Sequence, residues 1–274
     1  MTNTNTGIII RASEDKGAGV IERKTSREIG LMREAGRVVA ETLRAVRERA
    51  DVGVTLVELD VEASRIIDKG GATPAFLGYH PSWAPSPFPG VICVSVNDAV
   101  VHGIPDKTRL RDGDLVSIDC GAFVRGWCAD AAISFVVGTP RPGDEDLIAA
   151  TDAALDRGIA AALAGSQLGD LGDAIGSAAR TAGYGLLEHH GGHGIGRRMH
   201  EDPFVPNDGR PGHGFRLRPG LVLALEPMLI SGGRDDYVTD DNGWTVKTAS
   251  GARAAHSEHT IAITEEGPVV LTTP

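Results

Sequence analysis

Arg111-Asp112-Gly113-Asp114-Leu115-Val116-Ser117-Ile118-Asp119 and Arg218-Pro219-Gly220-Leu221-Val222-Leu223-Ala224-Leu225-Glu226 are two versions of one phrase. Each opens on Arg, turns at a Gly, runs through a short apolar strand and ends on an acid. A carboxylate closing a buried-looking strand is costly unless its charge is compensated. His102-Gly103-Ile104 likewise recurs as His193-Gly194-Ile195. Two such units, one in each half of the chain, point to a cation site shared between the halves.

Working outward, both halves follow one order. Residues 1–24 are rich in Thr, Asn and Gly, have no helical period and are expected to form a flexible arm. Thr25-Ser26-Arg27-Glu28 is a capping box, and Ile29, Met32, Val39, Leu43 and Val46 continue it as a helical stripe to about Ala50. Thr55-Leu56-Val57-Glu58 repeats the signature, with Leu59, Ala63, Ile66 and Ile67 inward until Gly70-Gly71 ends the helix. In the second half one helix is expected from about Asp144 to Leu163 and another from Leu168, after Gly165-Ser166. Each half thus reads helix, helix, His-Gly-Ile turn, strands. The expected fold class is α/β (α+β), with one duplicated domain over residues 25–274 and halves at about 25–140 and 141–274. Tyr79-His80-Pro81-Ser82-Trp83-Ala84-Pro85-Ser86-Pro87-Phe88-Pro89-Gly90 is too rich in proline for an element. It is either a stiff surface connection or the rim of a pocket.

With 274 residues, 41% of them hydrophobic and 23% charged, the chain can bury a full core. A net charge of −10 argues against nucleic acid as the main ligand. Apolar runs such as Val91-Ile92-Cys93-Val94 are far too short to span a membrane, and no secretory leader is visible. Cys93, Cys120 and Cys128 are odd in number and lack CxxC spacing, which disfavours a disulfide framework or a thiolate zinc site. A cytoplasmic protein is the expectation.

The chemistry concentrates in His102, Asp119, Asp130, His193, Glu226 and Glu258, with His200 as a seventh candidate. Asp119 and Asp130 lie on two strands joined around Val124-Arg125-Gly126. A turn centred between residues 124 and 125 would set them directly opposite on one face, where they repel unless a cation lies between them. Glu226 ends its strand before Pro227, and Glu258 opens the strand Thr260–Thr264. Four carboxylates with one or two imidazoles suit Mn²⁺, Fe²⁺, Co²⁺ or Zn²⁺. They hold too many oxygens for one tetrahedral ion, so a carboxylate-bridged pair that activates water for hydrolysis accounts for the set. His193 sits in Gly191-Gly192-His193-Gly194-Ile195-Gly196, whose glycines are read as leaving the backbone open beside a ligand.

The chain resembles the type I methionine aminopeptidases, metallopeptidases of family M24 with the pita-bread fold. The resemblance is carried by Ser95–Pro105, Asp114–Asp119, Gly192–Gly196 with His200, Leu225–Met228, Gly243–Thr248 and Glu258–Ile261, in order, from about residue 25 onward. It implies a central antiparallel-rich sheet covered by helices, and removal of initiator methionine when the next residue is small. It implies two divalent metal ions on Asp119, Asp130, His193, Glu226 and Glu258, with Asp130 and Glu258 bridging. His102 and His200 would then contact the substrate, Glu226 would take the proton from the attacking water, and Tyr79, Phe76, Cys93, Met199 and Trp244 would wall the methionine slot. The implied partners are nascent chains, with transient ribosome contact and a monomeric state.

The sequence departs from the family at pocket positions: Met199 replaces a usual aromatic, Phe76 a cysteine, Ser257 a tyrosine and His190 an aromatic. The proline-rich loop is also longer than in compact members. Xaa-Pro dipeptidases share the ligands but add an N-terminal domain, whereas the resemblance here begins near residue 25. Type II methionine aminopeptidases carry a long insertion between the second His and the next Glu, and only a short span separates His200 from Glu226. A non-catalytic pita-bread binding module would have lost ligands that are all present here.

Overall fold

The computed structural model describes residues 21–274. Its first half runs α1 (Ser26–Arg49), α2 (Leu56–Lys69), β1 (Thr73–Pro74), β2 (Cys93–Val96), β3 (Ala99–Val101), β4 (Asp114–Val124) and β5 (Trp127–Val137). The second half begins with α3 (Asp144–Ala161), α4 (Leu168–Thr181), β6 (Gly185–Leu186), β7 (Gly191–Gly194) and β8 (Glu201–Pro206). It continues through β9 (Val222–Leu225), β10 (Met228–Ile230), β11 (Tyr237–Thr239), β12 (Val246–Thr248), β13 (Ala254–His256), β14 (Glu258–Thr264) and β15 (Gly267–Val270).

Both first-half helices start where their capping boxes predict. The Thr25 and Thr55 N–H groups each donate to the glutamate three residues on, at 2.8 Å, and each hydroxyl accepts that glutamate's N–H at 3.3 Å. The expected arm is only partly described: residues 1–20 lie outside the described residues. Its last residues are held in place. Lys24 is buried, its Nζ donates to Glu201 at 2.8 Å, and its N–H donates to the Gly220 carbonyl at 2.6 Å.

The main sheet has nine strands in the order β1-β4-β5-β14-β9-β7-β8, with β2 also on β4 and β15 also on β14. Every pairing in it is antiparallel. Thus β14, near the end of the chain, joins β5 of the first half to β9 of the second. Strand alternation sorts the faces. Val116, Ile118, Cys120 and Ala122 of β4, with Ala129 and Ala131 of β5, pack against Val39, Leu43, Leu59 and Ile67 of α1 and α2. Each fully buried Val, Leu or Ile side chain among them contributes about 1.5–3 kcal/mol. Leu223, Leu225, Ile261 and Ile263 of β9 and β14 pack with Leu155, Leu168 and Leu171 of α3 and α4. With helices claiming one set of positions, Asp119 and Asp130 point to the other face.

The β4–β5 register corrects one expectation. Val124 pairs with Trp127 across a two-residue turn, with Arg125 at φ 50° and Gly126 at φ 77°. Positive φ at both central residues marks the tight hairpin turn that suits strand twist, so the reversal falls one residue later than expected. Asp119 therefore faces Ala132, and Asp130 faces Gly121. The two acids are diagonal neighbours and not direct partners; because the slip is two residues, they stay on one face.

The His-Gly-Ile units also differ from each other. His102 follows the end of β3 at φ 58°, whereas His193 lies within β7. A Cβ on Gly192 would sit 2.1 Å from the Ala224 carbonyl oxygen, and one on Gly194 would sit 2.1 Å from that of Asp202. These glycines serve close strand packing, a different role from the open ligand access expected of them.

Candidate active site

Five neighbouring strands of the sheet each deliver one polar side chain to the same region. Asp119 comes from β4, Asp130 from β5, Glu258 from β14, Glu226 from the residue after β9, and His193 from β7. The strand edges are pinned there: Asp130 N–H donates to Thr260 Oγ1 at 2.9 Å, and that hydroxyl donates back to the Asp130 carbonyl at 2.8 Å. Asp130, His193 and Glu258 are buried, and their ligand atoms lie within 4.8 Å of one another. His193 Nδ1 meets the Gly194 carbonyl at 2.9 Å, which leaves Nε2 facing Glu226 Oε1 at 3.6 Å.

The electrostatics are those of a site built for positive charge. Burial, with mutual repulsion among the carboxylates, raises Asp119, Glu226 and Glu258 well above the usual carboxylate range. Burial pushes Asp130 up to about 7. Burial also lowers His193 to about 4, so its imidazole is neutral and able to ligate at pH 7. Asp119 Oδ1, Asp130 Oδ1 and Glu258 Oε1 are buried without a hydrogen-bond partner among the described residues. Orphaned acceptors converging with a neutral imidazole fit hard to borderline divalent cations.

Around this centre the remaining candidates form one wall. Phe76, Cys93, Met199 and Trp244 are buried in a single apolar cluster, with Tyr79 and Trp83 packed against it. His200 opens to solvent at the mouth, stacks on Tyr79 with ring centroids 5.4 Å apart and approaches the His193 ring to 4.2 Å. Desolvation of its inner side, with His193 and His102 nearby, lowers its basicity. His102 is half-buried, and burial lowers it to about 3. Neither imidazole carries a proton charge at neutral pH, so each can act there as a neutral hydrogen-bond donor.

The proline-rich loop folds down onto the apolar cluster beside these residues. Phe88 is buried against Trp244 (5.1 Å) and Phe76 (6.4 Å), and Trp83 stacks over His102 at 6.2 Å. Trp244 Nε1 donates to the Ser86 carbonyl at 3.1 Å and fastens the loop down. Trp83 and Phe88 went unassigned in the sequence because nothing local sets a loop aromatic's direction. His256 was also missed. It is buried, its Nε2 stands 3.6 Å from Glu226 Oε2, and it forms a second three-donor group with Glu226 and Glu258. The signal was available: two residues before Glu258, a strand side chain points the same way.

Residues 30–265 match metallopeptidase family M24. Methionine aminopeptidase 1 of Mycobacterium tuberculosis is 48% identical over 264 residues, which cover 94% of this chain and 97% of that protein. The chain belongs to the methionine aminopeptidases. The enzyme of that name from Aquifex aeolicus is 45% identical, over 92% of this chain and 98% of its own. The crystal structure of methionine aminopeptidase from Thermotoga maritima superposes with a TM-score of 0.88 at 39% identity, covering 93% of this chain and all of that one. The mixed α/β architecture with its antiparallel sheet is thus the pita-bread fold, as expected. As a methionine aminopeptidase the chain is a peptide hydrolase that uses divalent metal and removes N-terminal methionine. No helix among the described residues is long and apolar enough to cross a membrane.

Proposed function

We propose that methionine removal by this chain runs on two divalent cations held by Asp119, Asp130, His193, Glu226 and Glu258, with Asp130 and Glu258 shared between them. The observation that carries this reading is the row of five donors from five neighbouring strands, with buried carboxylate oxygens left without partners. Four carboxylates are more negative charge than one divalent ion neutralises, which favours a pair. Bound there, such ions supply Lewis acidity to the scissile carbonyl and lower the pKa of water.

The chain's own groups do the rest. Glu226, raised well above the usual carboxylate range by burial, takes the proton of the attacking water and returns it to the leaving amine. His102 and His200, neutral at pH 7, donate hydrogen bonds to the scissile peptide and to the oxygen that gains charge as the tetrahedral centre forms. Tyr79, Phe76, Cys93, Met199 and Trp244 form an apolar slot for an unbranched first side chain, and the residue after methionine must be small.

The whole of residues 25–274 acts as one catalytic domain of two halves. It works as a monomer on nascent chains, in transient contact with the ribosome. Three free buried cysteines fit a cytoplasmic setting. The test is a panel of Met-Xaa peptides hydrolysed by metal-stripped protein after adding back Mn²⁺, Fe²⁺, Co²⁺ or Zn²⁺. Activity returning with up to two ions per chain, and only on small second residues, is expected. Full activity of the stripped protein would end the reading.

A further inference from the structure

His256 has no place in the five-ligand set, yet the fold aims it at that set and holds it there. The residue is 1% exposed, and its Nε2 has no hydrogen-bond partner among the described residues. Nε2 stands 3.6 Å from Glu226 Oε2 and 3.9 Å from Glu258 Oε2. Both separations are too long for hydrogen bonds. The Glu226 separation is that of donors gathered around one ion, and the Glu258 separation is slightly wider: with metal–ligand bonds of about 2.0–2.2 Å, tetrahedral donors lie about 3.3–3.6 Å apart.

The backbone that presents this ring is clamped at both polar groups. His256 N–H donates to Ser134 Oγ at 3.0 Å, and the Ser134 hydroxyl donates to the His256 carbonyl at 2.8 Å. Since Ser134 spends its proton on that carbonyl, Ser117 is the donor in the 2.8 Å contact between the two hydroxyls. A serine pair across β4 and β5 therefore orients a strand from the other half of the molecule. The clamp fixes the backbone from which the ring projects.

The arrangement is two-sided. Glu226 offers Oε1 to His193 and Oε2 to His256, each at 3.6 Å. Asp130, His193 and Glu258 form one three-donor group, Glu226, His256 and Glu258 the other, and Glu258 is common to both. We propose that His256 is a sixth metal ligand, so that each of two cations bridged by Glu258 carries one imidazole. This rests on the two-cation reading above and deepens it. A second imidazole softens the donor set, so Co²⁺, Fe²⁺ and Zn²⁺ gain over Mn²⁺ at the His256 side.

The probe is Co²⁺ titrated into metal-stripped full-length protein, followed by calorimetry and visible absorption, for wild type, His256→Ala and His256→Gln. Glutamine keeps polarity and most of the volume but is a poor ligand for Co²⁺. Wild type is expected to bind two ions per chain. Both variants should keep one ion at wild-type affinity, bind the other at least tenfold more weakly, and change the visible spectrum of the fully loaded form. Far-UV circular dichroism of the metal-free variants checks folding. An independent measurement needs no variant: proton NMR of the Co²⁺-loaded wild type should show strongly shifted imidazole N–H signals from two ligating histidines. Two ions at unchanged affinity and spectrum in His256→Gln, or one shifted imidazole in wild type, would overturn the assignment while leaving the two-cation reading intact. Failure of the wild type to bind Co²⁺ would refute both.

Discussion

Acidification should release metal from this centre with a steepness that counts carboxylates. Burial holds Asp130 at about 7, and burial with mutual repulsion holds Asp119, Glu226 and Glu258 high as well. A cation can bind only by displacing the protons these groups retain. Below the pKa of a displaced group, affinity falls tenfold per pH unit for each proton, about 1.36 kcal/mol. Asp130 alone gives a tenfold loss between pH 6 and pH 5, and one further protonated carboxyl makes it about a hundredfold. His193, lowered to about 4, is already neutral through most of that window and adds little to the slope. The same shifts act on the metal-free fold. A carboxyl whose folded pKa is raised contributes stability that is present below its unfolded value, about 4, and is lost as pH rises through about 7. Imidazoles lowered by burial act in the opposite sense, but only below their unfolded value of about 6.5. Between pH 6.5 and 8 the carboxyls therefore act unopposed, and the metal-free protein should lose thermal stability there while the metal-loaded protein does not. Calorimetric titration in buffers of contrasting ionisation enthalpy, from pH 5.5 to 8, reads both affinity and proton release. Affinity changing less than threefold between pH 5.5 and 7, or release of less than one proton per chain at pH 6.5, would refute the reasoning.

Two further outcomes follow from the substrate side. His102→Ala and His200→Ala should each lower kcat by about 10²–10³-fold, the usual cost of one transition-state hydrogen-bond donor, with metal stoichiometry unchanged; metal analysis of His200→Ala that shows a lost ion would make it a ligand. Phe76→Cys removes a ring packed against Phe88 and within reach of Gly121, beside Asp130, and so widens the slot. The wild type should prefer Met-Ala over Leu-Ala by about 1–3 kcal/mol in kcat/KM, and the variant by less; equal kcat/KM on the two peptides in wild type would mark a broader aminopeptidase.

The helices were legible because their signals are local. A capping box and a 3.6-residue stripe need only neighbours in the chain, so α1 and α2 begin one residue after Thr25 and Thr55 as read. Glu226 and Glu258 were legible as acids at strand ends, whereas Asp119, read as closing its strand, lies within β4, as Asp130 lies within β5, because the hairpin carries both strands past them. The β4–β5 register was not legible, because it turns on whether Arg125 adopts positive φ, a choice made by strand twist and pairing along the whole ladder. For Gly192 and Gly194, sequence showed only that a side chain was missing; the carbonyls of Ala224 and Asp202 that exclude one come from distant segments.

The chemistry on offer is written in the residues themselves: four carboxylates, several imidazoles, a duplicated frame and a hydrolase's donor set. Tertiary structure alone decided which of these meet. Insertion of β14 between β5 and β9 brings Glu258 to Asp130 and Glu226. The Ser134 clamp aims His256 at the same point, and Trp244 fastens the Pro-rich loop over the pocket. The physical reason is range: propensity and periodicity act over a few residues, whereas a metal centre is assembled by strand pairings between segments more than a hundred residues apart.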